Sequence, residues 1–310
     1  MVLDKKNINN VFYLFILSHL IIWTLIPTLT NHNLPLDTIE HLAWASNLDW
    51  GFDKHPPGSA FFPEVFFQVF GAQDWAYYLL SSLFVVIAFY YVFKLANEIL
   101  LNDQLSLIAV LILESVYFYN FTTPEFNVNV SQLPFWSLVT YFSWKIFSSK
   151  DIKITDCFLL GLFAAIGFLS KYLFIYLLTS IFLFFIYVIF LKKIKKFDFK
   201  YIIILEIFLI LLVPHFIWLY DNNFVTISYG LKRTGLADAS IINHFHQPFI
   251  FLIKQIGILL PFFFLIWLLV KRIRIKFNLK DKKLLFLMMF NILPIFLILL
   301  TSIITGSKIR

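Results

Sequence analysis

Charge is scarce in this chain. Only 14% of its 310 residues are Asp, Glu, Lys or Arg, against about 25% in an ordinary soluble domain. Its 9 glycines form no Gly-rich loop of the kind that cradles a phosphate, which argues against an ATP-driven pump. The one cysteine, Cys157, rules out an internal disulfide and any cysteine-based metal cluster. Lying in an apolar segment, it reads as a small buried hydrophobe. There is no internal repeat and no low-complexity linker.

What the chain does contain is apolar: 60% hydrophobic residues, 40 of them Phe. These come in long runs rather than amphipathic stripes, and runs of about 20 match a hydrocarbon core roughly 30 Å thick. The fold class is therefore all-α integral membrane. Helices are the natural spanning element, because each satisfies its own backbone in lipid. About nine transmembrane helices are expected, over 11–29, 76–96, 104–122, 129–147, 154–170, 173–191, 201–220, 248–270 and 284–304. The first follows a polar tail, Met1–Asn10, with no small-residue cleavage site before Asn33, and reads as a retained helix rather than a signal peptide. The whole of 1–310 reads as a single transmembrane domain.

Basic residues set the expected orientation. The run Lys192-Lys193-Ile194-Lys195-Lys196, the stretch Lys271-Arg272-Ile273-Arg274 to Lys282-Lys283, Lys145, Lys150, Lys153 and Lys5-Lys6 all fall on one side. That side is read as cytoplasmic. The net charge of +7 then reflects topology and attraction to anionic membrane lipid, not nucleic acid. Loops 30–75, 122–128 and 221–247 and the turn near Lys171 open on the other face, where ATP and nucleotide sugars are absent.

Loop 30–75 is the polar exception. It holds two candidate interfacial helices, about 37–48 and 58–70. In the second, Phe61, Phe62, Val65, Phe66, Val69 and Phe70 share a face at helical spacing, which suits the interface plane. Pro56-Pro57 stands ahead of it, where proline is tolerated. Asp37 and Glu40, three apart, would share a helix face. Two close carboxylates can hold a divalent cation or act as a base; equally, Asp37 could be a solvated N-cap. Lys54 and His55, at the rigid corner, suit a lipid phosphate or a metal, or else a snorkelling lysine beside a surface histidine. Glu125 and Asn127 suit sugar hydroxyls or the orienting of a cation, or else a plain turn with an Asn cap. Lys171, beside Tyr172, interrupts an apolar run; a cation there costs about 2.5–3.5 kcal/mol on insertion scales and calls for a ligand or an ion pair with Glu125. Arg233, in Tyr229-Gly230-Leu231-Lys232-Arg233-Thr234-Gly235, offers a planar fork for phosphate. His215, His244 and His246 read as ordinary histidines. Glu114 and Glu206 sit inside expected spans without obvious partners and receive no role.

Six motifs in order then carry a resemblance. They are Asp37-x-x-Glu40, Trp50-Gly51-Phe52-Asp53-Lys54-His55-Pro56-Pro57, Pro124-Glu125-Phe126-Asn127-Val128-Asn129, Gly167-Phe168-Leu169-Ser170-Lys171-Tyr172, Pro214-His215-Phe216-Ile217-Trp218 and the Tyr229–Gly235 segment. Across nearly its whole length the chain resembles bacterial glycosyltransferase family 39 and the ArnT-like polyprenyl-phosphate-sugar transferases, which have the GT-C membrane fold. The resemblance implies an inverting transfer from a polyprenyl-phosphate-sugar donor to an envelope acceptor (lipid A or core, polysaccharide or protein) on the periplasmic face of a bacterial inner membrane. It implies Asp37 as base or metal-proximal carboxylate, with Glu40 beside it, and Lys54, His55, Lys171 and Arg233 at the donor phosphate. Glu125, Asn127, Tyr172 and Tyr229 would contact sugar or acceptor. The family pattern places a metal-holding histidine three residues before the arginine, where this chain has Gly230; a divalent cation, if used, would rest on Asp37 and Glu40. Relatives continue past the position of Thr305 with further helices, so a shortened member is expected. The rival readings are a carrier or flippase for lipid-linked sugars, which needs polar groups at mid-membrane depth, and a non-catalytic membrane subunit.

Overall fold

The computed structural model describes residues 5–236, 240–269, 278 and 281–308. Every regular element among the described residues is helical. In chain order these are α1 (Lys5–Thr30), α2 (Leu36–Ala45), α3 (Gly58–Phe70), α4 (Asp74–Leu100), α5 (Asp103–Leu113), α6 (Val128–Ser148), α7 (Ile154–Ser170), α8 (Ile175–Ile186), α9 (Tyr201–Asp221), α10 (Val225–Arg233), α11 (Asn243–Ile258), α12 (Leu260–Leu269) and α13 (Lys282–Thr305). The basic run 271–274 lies outside the described residues.

Five helices among the described residues are long and apolar enough to cross a bilayer: Lys6–Thr30, Asp74–Leu100, Tyr172–Leu191, Tyr201–Asp221 and Lys282–Thr305. A sixth arises if α11 and the helix after it, bent by 43° at their junction, form one span. The expected nine are not reached, and the reasons are local. The segment expected over 104–122 stops being α-helical at Leu113 and continues through a short 3-10 turn, Tyr117–Tyr119. Helix α7 is apolar but only 17 residues long. Helix α6 has the length, yet Ser131, Gln132, Ser137, Thr140, Ser143 and Lys145 dilute its hydropathy. Glu114, expected to lack a partner, faces the buried His19 of α1 at 3.1 Å. The break in this span is therefore tied to a neighbouring helix.

The core is aromatic. Phe126, Phe174, Phe184 and Phe286 are fully buried in one cluster joining α4, α6, α7, α8 and α13. Between helices in lipid, such close packing supplies the attraction that water exclusion supplies elsewhere. Helix α3 falls on its expected bounds. Phe62 turns inward onto Phe84 and Phe135, while Val65, Phe67 and Val69 stay exposed. Its first residue, Gly58, rests on the end of α7: a Cβ there would lie 2.8 Å from the Leu169 carbonyl oxygen. This contact brings the Pro56-Pro57 corner down beside Lys171.

Candidate active site

One end of the bundle holds a cavity of about 800 Å³. Helix α2 contributes Asp37 and Glu40 to its wall, the corner before α3 contributes Lys54 and His55, and the start of α6 contributes Asn127 and Asn129. The turn between α7 and α8 adds Lys171 and Tyr172, and α10 adds Tyr229 and Arg233. Residues almost 200 positions apart thus share one space. Glu125 is not on the wall: its Oε1 accepts the backbone N–H of Asp37 at 3.2 Å, so it positions α2.

Asp37 lies in the first turn of α2, and the cap position belongs to Pro35. The N-cap reading of Asp37 is therefore not realised. A carboxylate in a first turn is favoured by the helix dipole. Asp37 is exposed to the cavity, and its Oδ2 lies 3.5 Å from Asn127 Nδ2. Asn127 also caps α6, its Oδ1 accepting the N–H groups of Asn129 and Val130 at 2.9 and 3.2 Å. The expected Asn cap is realised at Asn127, and the same side chain lines the cavity.

Glu40 pairs with Lys54. Each partner is about one-third exposed, 32% and 34%, so the pair contributes at most about 1 kcal/mol and mainly orients the lysine. The hydrogen bond it donates to Glu40 also raises the Lys54 pKa, keeping it an ammonium. Among the described residues no group of three or more His, Cys, Asp or Glu could hold a metal ion. Of the two carboxylates lining the cavity, Glu40 is engaged by Lys54, which leaves Asp37 as the one not held in an ion pair among the described residues.

His55 is held neutral, its pKa pushed down to about 3 by burial, then by His41, Lys171, Arg233 and Lys54 around it. At neutral pH its ring can therefore offer an N–H but no charge. Lys171 does not pair with Glu125. Its ammonium donates to Asn129 Oδ1, while burial and the Arg233 charge lower its pKa to about 8. Arg233 donates to the Tyr229 hydroxyl at 3.3 Å and leaves most of its fork open.

Two histidines support the site from below. His215, fully buried on α9, meets the Trp50 carbonyl through Nδ1 at 2.5 Å. The carbonyl can only accept, so Nδ1 carries the proton and Nε2 receives the Tyr172 hydroxyl at 2.7 Å. By the same logic His41, buried on α2, donates from Nδ1 to the Asp37 carbonyl at 2.6 Å, and its Nε2 has no partner among the described residues. Trp218 donates to Asp49 at 2.7 Å, and the Thr226 hydroxyl bonds the Phe52 carbonyl. Gly51 lies against the Trp218 ring, where a Cβ would clash at 2.2 Å. Loop 49–55 is thus seated on α9 and α10. No periodicity announced the seating of this loop, since its contacts with α9 and α10 span 165 residues or more. Lys308, Thr305 and Ser307, at the end of α13, also line the cavity. They lie beyond every motif singled out in the sequence, and no spacing signal connects them to it.

No curated protein and no solved structure shows significant similarity to this chain. A family model does match, over residues 54–218, from the lysine of the Pro-Pro corner to the tryptophan that seats it. With the match covering more than half of its length, the chain belongs to the dolichyl-phosphate-mannose-protein mannosyltransferase family, a GT-C group of membrane glycosyltransferases that draw on lipid-linked sugars.

Proposed function

We propose that this protein moves one sugar from a polyprenyl-phosphate donor to an envelope acceptor on the extracytoplasmic side of a bacterial inner membrane, with inversion at the anomeric carbon. The observation that carries this reading is the convergence of Lys54, Lys171 and Arg233 with the exposed carboxylate of Asp37 in one cavity at the end of an apolar bundle.

The chemistry follows from the charges. The donor is a phosphodiester carrying one negative charge. An acceptor hydroxyl oxygen attacks the anomeric carbon while the bond from that carbon to the phosphate oxygen breaks. The electron pair leaves with the phosphate, which departs as polyprenyl phosphate with a second negative charge. Lys171 and Arg233 face that growing charge in a partly enclosed site, where fixed cations act strongly. Lys54 adds to the field, and His55 supplies an N–H. Asp37 takes the hydroxyl proton, its carboxylate steadied by Asn127. No step runs through a metal.

Wild type, Asp37→Asn and Lys171→Ala are compared by mass spectrometry of envelope glycolipids, with protein levels matched. Each substitution lowers transfer by about 10²–10⁴-fold, the range for loss of a positioned base or a charge-stabilising donor. Wild-type product from both variants would discard the assignment.

A further inference from the structure

The wall of the cavity formed by the end of α13 plays no part in the donor chemistry above. It lies outside the segment that matches the family, 54–218. It is nonetheless built with care. Gly306 closes α13 in the left-handed region, φ 65°, with its N–H on the Ser302 carbonyl at 2.8 Å. The Ser302 hydroxyl donates to the Ser307 carbonyl at 2.8 Å. The backbone N–H of Lys308 donates to the Thr234 carbonyl at 2.9 Å, beside Arg233. The turn after α13 is therefore locked against α10.

The hydroxyls in this turn have defined directions. Thr305 Oγ1 lies 2.7 Å from the Thr301 carbonyl, which can only accept, so its proton points there. The 2.6 Å contact between Thr305 and Ser307 is then donated by Ser307. With that proton committed, Ser307 Oγ offers lone pairs only, which suits a ligand O–H. Next to it stands Lys308, exposed and on the cavity wall. The carboxylates on that wall come from α2, and Glu40 is engaged by Lys54. A departing donor phosphate carries two negative charges, and Lys171 and Arg233 answer them. Lys308 is a cation in excess of what the donor needs, set beside an acceptor of hydroxyl protons. About 800 Å³ is toward the upper end of the roughly 300–1,000 Å³ of ordinary ligand sites, enough for a second sugar beside the donor headgroup.

We infer that the turn after α13 is the acceptor subsite, and that it takes a carbohydrate bearing an anionic group, with Ser307 accepting from a ring hydroxyl and Lys308 facing the anion. The inference rests on the transferase reading. A uronate and a sugar phosphate share this chemistry.

The test uses the full chain in lipid nanodiscs and four probes: methyl glucoside, methyl glucuronide, glucose 6-phosphate and undecaprenyl phosphate. Titration calorimetry and ligand-observed NMR give the affinities. Wild type binds one or both anionic sugars about tenfold more tightly than methyl glucoside, a difference of about 1.4 kcal/mol, and the preferred probe tells uronate from phosphate. Lys308→Gln removes the preference, Lys308→Arg keeps it, and Ser307→Ala weakens all three sugars. None of the three changes undecaprenyl phosphate affinity or the unfolding temperature. Equal binding of all three sugars by wild type, or a preference that survives Lys308→Gln, overturns the inference. So does Lys308→Gln weakening undecaprenyl phosphate as much as the anionic sugars, which would place Lys308 at the donor. Failure of wild type to bind undecaprenyl phosphate at all would instead strike the transferase reading.

Discussion

Lys171 carries the clearest test of the proposed phosphate contact. It sits at the end of α7 with its ammonium on Asn129, and burial together with Arg233 holds its pKa near 8, against about 10.4 for a free lysine. The sign is set by which form binds. The ammonium attracts phosphate and the neutral amine does not, so affinity is flat below about pH 8 and falls above it. A bound phosphate raises the lysine pKa again and limits the fall. Undecaprenyl phosphate affinity measured from pH 7.5 to 9.5 should therefore drop in wild type by up to about tenfold per unit. Lys171→Arg, charged throughout this range, should stay level. A level wild-type profile would mean that the amine is not at the phosphate. His55 adds no inflection near neutrality, since its titration is displaced to about pH 3.

At the scale of elements, lysines far from the cavity finish helices. Lys195 donates to the carbonyls of Ile146 and Phe147 at 2.7 and 3.3 Å and also to that of Ser149, at the end of α6. Lys283 reaches the carbonyl of Ile99 at 2.6 Å, at the end of α4, while Lys200 reaches that of Ile152 at 2.8 Å in the loop between α6 and α7. The last carbonyls of a helix lack partners of their own, and a cation there also meets the negative end of the dipole. Residues counted in the sequence as orientation signals thus join neighbouring helices as well. Lys195→Met should cost about 1–2 kcal/mol, the worth of one or two charge-assisted bonds, read as a lower unfolding temperature in detergent. The exposed neighbour Lys196→Met serves as the control and should leave it unchanged. The start of α3 was legible for a comparable local reason, because Pro56-Pro57 admits a helix start and the following Phe pattern has helical spacing. The end of α5 was not legible. Its apolar run continues past Leu113, and the turn depends on Glu114 meeting His19, 95 residues away.

For the whole molecule the decisive quantity is orientation. Helix ends alternate between the cavity end, with Thr30, Asp74, Val128, Ser170, Asp221 and Thr305, and the lysine-rich end, with Leu100, Ser148, Tyr201 and Lys282. The excess of basic residues at the second end is the basis for expecting it in the cytoplasm, and the proposed function requires that orientation. Cys157 is fully buried, so single introduced thiols can be read against a quiet background. In intact cells a membrane-impermeant maleimide should label Asn222→Cys, exposed at the cavity end of α9, and label Lys193→Cys only after permeabilisation. The reverse pattern would open the cavity to the cytoplasm and remove the case for an extracytoplasmic transferase.

The amino-acid sequence by itself determined that this is a helical membrane protein, where five of its spans run, and which short polar stretches interrupt them. Those properties depend on hydropathy and residue type over windows of about 20 positions, which neighbours along the chain decide together. Which polar stretches meet was decided by tertiary structure alone. Close packing of Gly58 on α7, seating of loop 49–55 by His215 and Trp218, and closure of the α13 turn on Thr234 are contacts between residues 70 to 170 positions apart. They bring Asp37, Lys171, Arg233 and Lys308 to one cavity because side chains interlock in three dimensions, a property that one-dimensional hydropathy does not carry.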